Sequence, residues 1–181
     1  MTSTNQSSRK QLLLLAAVFA LPIIAAQLFL SLDLYKGGST NKGELLPSSL
    51  SYQSLNMDNP NPGKWQMLYQ MPADCQQACQ QQLHLLQRSF IALGKEQDRV
   101  QPVVILSSGS DESLLKQFNF VTIKATSDLP NYLSRQQIIT VDPLGKWVTR
   151  YELKTDPHDQ VMQSKAMLND LRKLLKLSRV G

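Results

Sequence analysis

The chain has 181 residues, of which 42% are hydrophobic, 18% charged and 7% aromatic, with 19 Lys and Arg against 14 Asp and Glu for a net charge of +5. That is the material of one ordinary domain, which excludes a multidomain enzyme, a disordered acidic tail and a disulfide-stapled miniprotein. The basic residues sit at Arg9-Lys10 and along a C-terminal stretch (Lys165, Arg172, Lys173, Lys176, Arg179), with both signs alternating between, so no nucleic-acid partner is expected.

Residues 12–32 carry no charge and are long enough to span a bilayer core of roughly 30 Å. Arg9-Lys10 precede this run, while Asp33, Lys36 and Lys42 follow it. The positive-inside rule then keeps residues 1–11 in the cytoplasm and exports the rest. A cleaved signal peptide has a shorter apolar core of ~7–15 residues and a small-x-small cleavage site. Leu28-Phe29-Leu30-Ser31-Leu32 offers no such site. The expectation is an uncleaved single-pass anchor in the inner (cytoplasmic) membrane, with Pro22 tolerated as a kink and the C-terminal domain on the periplasmic or extracytoplasmic side. No second run is apolar enough to cross, which argues against a polytopic transporter.

Residues 33–62 read as linker and edge segment. Gly37-Gly38-Ser39-Thr40-Asn41-Lys42-Gly43 is a polar link, Leu45-Leu46-Pro47 and Leu50 to Leu55 suggest a short extended piece, and Asn59-Pro60-Asn61-Pro62-Gly63 is a turn. A domain over 63–181 follows. Trp65 to Met71 reads as a strand ended by Pro72. From Asp74 to about Leu93 the residues Leu83, Leu86, Phe90 and Leu93 recur at helical spacing, and Gly94 closes the segment. Gln101 to Leu106 suits a buried strand, Asp111 to Phe118 a short helix, and Phe120 to Thr126 a small strand or loop.

Gln137 to Val141 and Lys146 to Tyr151 flank Asp142-Pro143-Leu144-Gly145 as a β-hairpin. Asp156 can cap a last helix with Pro157 at its first position, burying Val161, Met162, Met167, Leu168, Leu171, Leu174 and Leu175. Trp65, Tyr69, Trp147 and Tyr151 are expected to pack the sheet. The order strand, helix, strand, helix, hairpin, helix predicts an α/β fold: a mixed sheet flanked by helices, in the thioredoxin-like order, behind one N-terminal transmembrane helix.

Cys75 and Cys79 are the only cysteines and fall where the first strand hands over to the first long helix. Amide donors and the partial positive charge of a helix N-terminus lower a thiol's pKa, while the neighbouring Asp74 opposes that. The spacing places both sulfurs on one helical face, where they can form a disulfide or jointly hold a soft ion such as Cu(I). A purely structural disulfide is the plainer alternative, but so short a loop removes little chain entropy.

Gly63-Lys64-Trp65-Gln66-Met67-Leu68-Tyr69, the Cys75-Gln76-Gln77-Ala78-Cys79 motif and Val141-Asp142-Pro143-Leu144-Gly145-Lys146 together resemble the Sco/SenC family, membrane-anchored thioredoxin-like proteins of cytochrome c oxidase assembly. Over most of its length, including Asn41-Lys42-Gly43 and the segment from Asp170 to Gly181, the chain is also similar to small proteobacterial membrane proteins described in oxidase assembly or as thioredoxin-like. The resemblance implies that Cys75 and Cys79 are the reactive thiols and the copper ligands, and that the partner is a respiratory oxidase subunit or another assembly factor. It is incomplete. The family's histidine would fall near Ser134, in Leu133-Ser134-Arg135-Gln136, and Gln76 stands where a proline usually follows the first cysteine. Pro130 is too far upstream to serve as the cis-proline of thioredoxins.

Other candidates are weaker. Arg135 can stabilise a thiolate if it faces the thiols, but reads first as a loop cation. His84 is rotated away from the cysteine face, His158 depends on tertiary folding, and Met71 offers a thioether that suits Cu(I) but sits on a strand, where Met usually fills the core. No Ser-His-Asp arrangement and no paired carboxylates point to a metabolic enzyme. The reading is a Sco-like assembly factor in which Cys75 is the exposed attacking or donating thiol and Cys79 resolves, by thiol–disulfide exchange or Cu(I) delivery. The alternative is a membrane-tethered scaffold with a structural disulfide. A general thiol–disulfide oxidoreductase ranks third, because the spacing is not C-x-x-C.

Overall fold

The computed structural model describes residues 4–31, 41–126, 129, 137–152 and 154–180. The chain divides into two units, Met1–Thr40 and Asn41–Gly181. In the first, α1 (Thr4–Ser31) is a continuous helix with Pro22 inside it, and its segment Arg9–Leu28 is long and apolar enough to cross a membrane. Leu and Ala are strong helix formers, and side chains from Leu12 to Leu28 face outward in this unit. The flanking Leu32, Asp33 and Lys36 lie outside the described residues.

The second unit is a six-stranded mixed sheet in the order β1-β6-β5-β2-β3-β4. Its strands are β1 (Glu44–Leu45), β2 (Trp65–Met71), β3 (Val100–Leu106), β4 (Val121–Lys124), β5 (Ile138–Val141) and β6 (Trp147–Tyr151). Its helices are α2 (Gln77–Ile91) and α3 (Pro157–Leu177). Strands β2, β3 and β4 run parallel, while β5, β6 and β1 add antiparallel on the other side of β2. Strands β2 and β3 are covered on each face, so burial runs along them nearly without alternation, at Gln66 and Gln70 as well as at the apolar positions. The β5–β6 turn is closed by Asp142, whose Oδ1 accepts the Leu144 N–H at 2.9 Å and the Lys146 N–H at 2.8 Å. Gly145 supplies the positive φ of +87° that this turn requires.

Each face of the sheet has its own core. Met67, Tyr69 and Met71 of β2 meet Leu83 and Leu86 of α2 and Met167 and Leu171 of α3. Full burial of side chains such as Leu86 contributes about 1.5–3 kcal/mol each. On the opposite face Leu68, Val103, Ile105, Ile139 and Trp147 are covered by Leu50, Tyr52, Leu55 and Met57. Residues 41–62 therefore belong to the body of the compact unit. Leu50 to Leu55 is not extended throughout: Ser51 bridges Lys146, and Gln53–Leu55 is a short 3-10 turn.

Three further details depart from the sequence expectation. α2 begins at Gln77 and not Asp74, because the chain between Pro72 and Gln76 is occupied by the cysteine loop. The short helix expected over Asp111 to Phe118 is a single 3-10 turn, Glu112–Leu115, with Asp111 as its cap. On α3, Asp156 caps the helix through its side chain and Pro157 opens it, as expected. Its buried face, however, carries Gln160, Ser164 and Asp170 beside Met167, Leu171 and Leu175, while Met162 is 50% exposed. Gln160 and Asp170 find polar partners there, the Ala78 carbonyl of α2 and the Tyr151 hydroxyl of β6.

Candidate redox site

The site lies where β2 ends and α2 begins. Pro72 stops the strand, Ala73 and Asp74 turn the chain, and Cys75 precedes the helix while Cys79 sits in its first turn. The two cysteines form a disulfide with Cα atoms 5.2 Å apart. Cys75 lies before the helix, so the pair does not share a helical face; the loop bends to bring the sulfurs together. Both residues are buried, Cys75 at 8% exposure and Cys79 at 3%, so the expected exposed position of Cys75 is corrected to a buried one.

Polar side chains hold this loop. Gln76 Nε2 donates to Asp74 Oδ2 at 2.7 Å, and Gln80 Nε2 donates to the Cys75 carbonyl at 3.1 Å. Gln76 occupies the N-cap position of α2, but its side chain does not cap the helix. The first-turn amides thus face the cysteine loop without a side-chain acceptor, the arrangement that stabilises an anion there. From α3, Gln160 Nε2 donates to the Ala78 carbonyl at 3.2 Å, and Gln81 Nε2 of α2 reaches the Pro157 carbonyl at 3.3 Å. The start of α3 is therefore fastened beside the disulfide.

The remaining candidates fall elsewhere. Met71 is fully buried in the core next to the loop. His84 is exposed on α2 and meets Phe118 edge-on at 5.1 Å between ring centroids. The His158 side chain is 82% exposed and lies 3.7 Å from Asp159. Among the described residues, the one group of three His, Cys, Asp or Glu side chains close enough to hold a metal is Asp156, His158 and Asp159, which is exposed and does not include the cysteines. Pro130 and the segment from Leu133 to Gln136, with Ser134 and Arg135, lie outside the described residues. The sulfurs of a disulfide are not thiolate ligands, and no third ligand of these types joins them among the described residues. The disulfide offers copper no thiolate, and reduction of Cys75 and Cys79 would supply two.

Sequence periodicity missed the buried polar residues behind the site. Gln82 and Gln160 are fully buried, as is the Tyr69 ring, and burial pushes the Tyr69 phenol well above its ordinary value. The available signal was a polar residue recurring at the spacing of an apolar face, as with Gln160 and Ser164 four residues apart on α3.

The model of the transmembrane-like, thioredoxin-like, C-terminal domain family matches residues 65–178, more than half of the chain. The chain belongs to this family. The matched segment runs from the start of β2 to the end of α3, and so takes in both cysteines and the whole central sheet except β1. A comparison with curated proteins finds no match. Among solved structures, this thioredoxin-like chain is similar to yeast Sco1, at 17% identity over 65% of this chain and 87% of that one, with a TM-score of 0.48. It is similar to apo Sco1 from Thermus thermophilus, at 15% identity over 76% and 99% of the two chains, with a TM-score of 0.47. It is also similar to the thioredoxin domain of a thiol-disulfide oxidoreductase from Bacteroides vulgatus, at 18% identity over 75% and 99%, again with a TM-score of 0.47.

Proposed function

We propose that this protein is a membrane-anchored thiol–disulfide exchange factor that reduces a cysteine pair in a respiratory oxidase subunit outside the inner membrane. The observation that carries the reading is the Cys75–Cys79 disulfide at the uncapped N-terminus of α2, in a domain of the thioredoxin-like family. In the reduced protein the Cys75 thiolate, favoured by the first-turn amides, attacks one sulfur of the partner's disulfide and expels the other as a thiolate. Cys79 then attacks Cys75 Sγ, releases the partner as a dithiol and leaves the Cys75–Cys79 disulfide. Two electrons pass to the partner, and a second dithiol must return them. The oxidase subunit as partner rests on the Sco/SenC resemblance of the cysteine motif and of Val141 to Lys146. The orientation rests on Arg9 and Lys10 ahead of the apolar helix. Copper delivery has less support, because the described donor set stops at two sulfurs, and no step is routed through copper.

The deciding measurement is the equilibrium reduction potential of the Cys75–Cys79 pair in the full chain in detergent, poised in a thiol redox buffer. A potential well above about −300 mV supports exchange; one below it marks a structural disulfide and favours a non-catalytic scaffold. In cells, Cys75→Ser and Cys79→Ser should each lower assembled oxidase activity while the protein stays folded and membrane-bound. Wild-type oxidase levels in both would overturn the choice of partner.

A further inference from the structure

Beside the redox loop, a cleft of about 380 Å³ opens at the carboxyl ends of β3 and β4. Its rim carries Ser107, Ser108, Ser110, Glu112 and Lys124. The loop from 107 to 110 is fastened directly to the chain leading into Cys75. The Ser110 hydroxyl reaches the carbonyls of Met71 and Pro72, each at 3.2 Å, and the Ser107 N–H donates to the Met71 carbonyl at 3.4 Å. A Cβ built on Gly109 would stand only 3.6 Å from Ala73 Cβ, so the two loops touch two residues ahead of Cys75. Glu112 and Lys124 are exposed and make no ion pair with each other or with any other described residue. Cleft, hydroxyls and, among the described residues, one unpaired charge of each sign thus adjoin the chain that leads into Cys75, the less covered of the two cysteines.

The geometry points to this cleft as the seat for the polypeptide that flanks the reacting cysteine of the partner. The inference rests on the exchange reading above and adds a binding site to it. The exposed Ser108 hydroxyl donates to and accepts from main-chain amides, and Glu112 and Lys124 select charged side chains on either side of the partner's cysteine. The seated thiolate attacks Cys75 Sγ, the Cys75–Cys79 bond breaks, and Cys79 leaves as a thiolate that takes a proton from water. A second thiol then attacks the partner's sulfur in the mixed disulfide, giving one partner disulfide and two protein thiols. The reverse sequence, with the same mixed disulfide, reduces the partner.

The test uses the full chain in detergent at physiological ionic strength and two capped peptides, Lys-Gly-Cys-Gly and Asp-Gly-Cys-Gly. The readout is the ratio of their second-order rate constants for reducing Cys75–Cys79, with dithiothreitol as a thiol that has no peptide to seat. Lys124→Glu should raise the cationic-over-anionic ratio by at least about threefold and Glu112→Lys should lower it by a similar factor, because charges beyond about 8 Å are screened at this salt. Arg88→Glu, on α2 outside the cleft, should leave the ratio unchanged, and dithiothreitol should reduce all variants alike. If a charge reversal disturbs folding, Lys124→Gln and Glu112→Gln should give the same shifts at smaller size. Unchanged ratios, or an equal shift from Arg88→Glu, would overturn the cleft. Failure of dithiothreitol to reduce the wild-type disulfide would instead overturn the exchange reading beneath it.

Discussion

The Tyr151 hydroxyl donates to Asp170 Oδ2 across 3.0 Å, and the same buried oxygen accepts the backbone N–H groups of Lys42 at 2.6 Å and Gly43 at 3.0 Å. One carboxylate thus ties β6, α3 and the first residues of the domain together. Space is tight at this joint: a Cβ on Gly43 would lie 2.5 Å from the Tyr151 ring. Asp170→Ala removes all three acceptor contacts and leaves the Tyr151 and Gly43 donors buried, which should cost about 2–4 kcal/mol. Tyr151→Phe, which removes one donor, should cost about 1 kcal/mol. Urea unfolding of both variants and of the double variant checks this. The double variant should lose less than the sum, since the two residues share a bond.

High pH should unfold the domain steeply. Tyr52, Tyr69 and Tyr151 each have a phenol pushed above the ordinary 10.0, with burial the first cause in every case. Above pH 10 the unfolded chain gives up three protons that the folded domain keeps. Stability is therefore intact below that pH and falls as pH rises, by about 4 kcal/mol per pH unit when all three titrate only on unfolding. Replacing one of them, as in Tyr69→Phe, should lower the slope by about a third. Urea midpoints between pH 9 and 11.5 measure it.

Reducing the disulfide should leave the domain folded. The bridged residues are separated by 4 positions, and a loop that short accounts for about 2 kcal/mol of chain entropy at most. Unfolding with and without dithiothreitol should differ by no more than that. A larger loss would mean that the bridge props up the α2 N-terminus and is structural.

The two thiols should differ in reactivity. In Cys79→Ser the remaining Cys75 sits ahead of the helix at its amide donors, while in Cys75→Ser the remaining Cys79 is inside the first turn and more deeply covered. Iodoacetamide should modify Cys75 at least about tenfold faster than Cys79 at pH 7, given its place at the helix amide donors and its better access. Equal rates would remove the distinction between attacking and resolving roles.

The order of elements along the chain and the site's place in it were legible because they rest on strong local signals. Pro72 after an apolar run ends β2, and Asp156-Pro157 opens α3. The covering of the second sheet face was not legible. Tyr52 and Gln66 look like surface residues until tertiary contact pairs them, the Tyr52 hydroxyl donating to Gln66 Oε1 at 2.7 Å. Asp170 was hidden for the same reason: a lone acid within Met167 to Leu171 reads as solvent-facing unless its partners, Tyr151 on β6 and the Lys42 and Gly43 amides more than a hundred residues earlier, are known. At the site, spacing allowed the pairing but did not show the burial, since the cover over Cys75 and Cys79 comes from the cluster that includes Leu83 and Leu86 of α2 and Met167 and Leu171 of α3.

The joint at Asp170 also has a mechanical meaning. Tension arriving along the chain ahead of Asn41 meets, side by side, the two backbone bonds to Asp170, the short β1–β6 ladder and the Glu44–Arg150 ion pair at 2.7 Å. These yield together or hold together, and they pass the load into α3 and strand β6. The strand and helix that carry the disulfide contribute none of those bonds. A tug on the tether is therefore taken up at one margin of the domain, while the sulfur chemistry proceeds on elements that bear none of that first load.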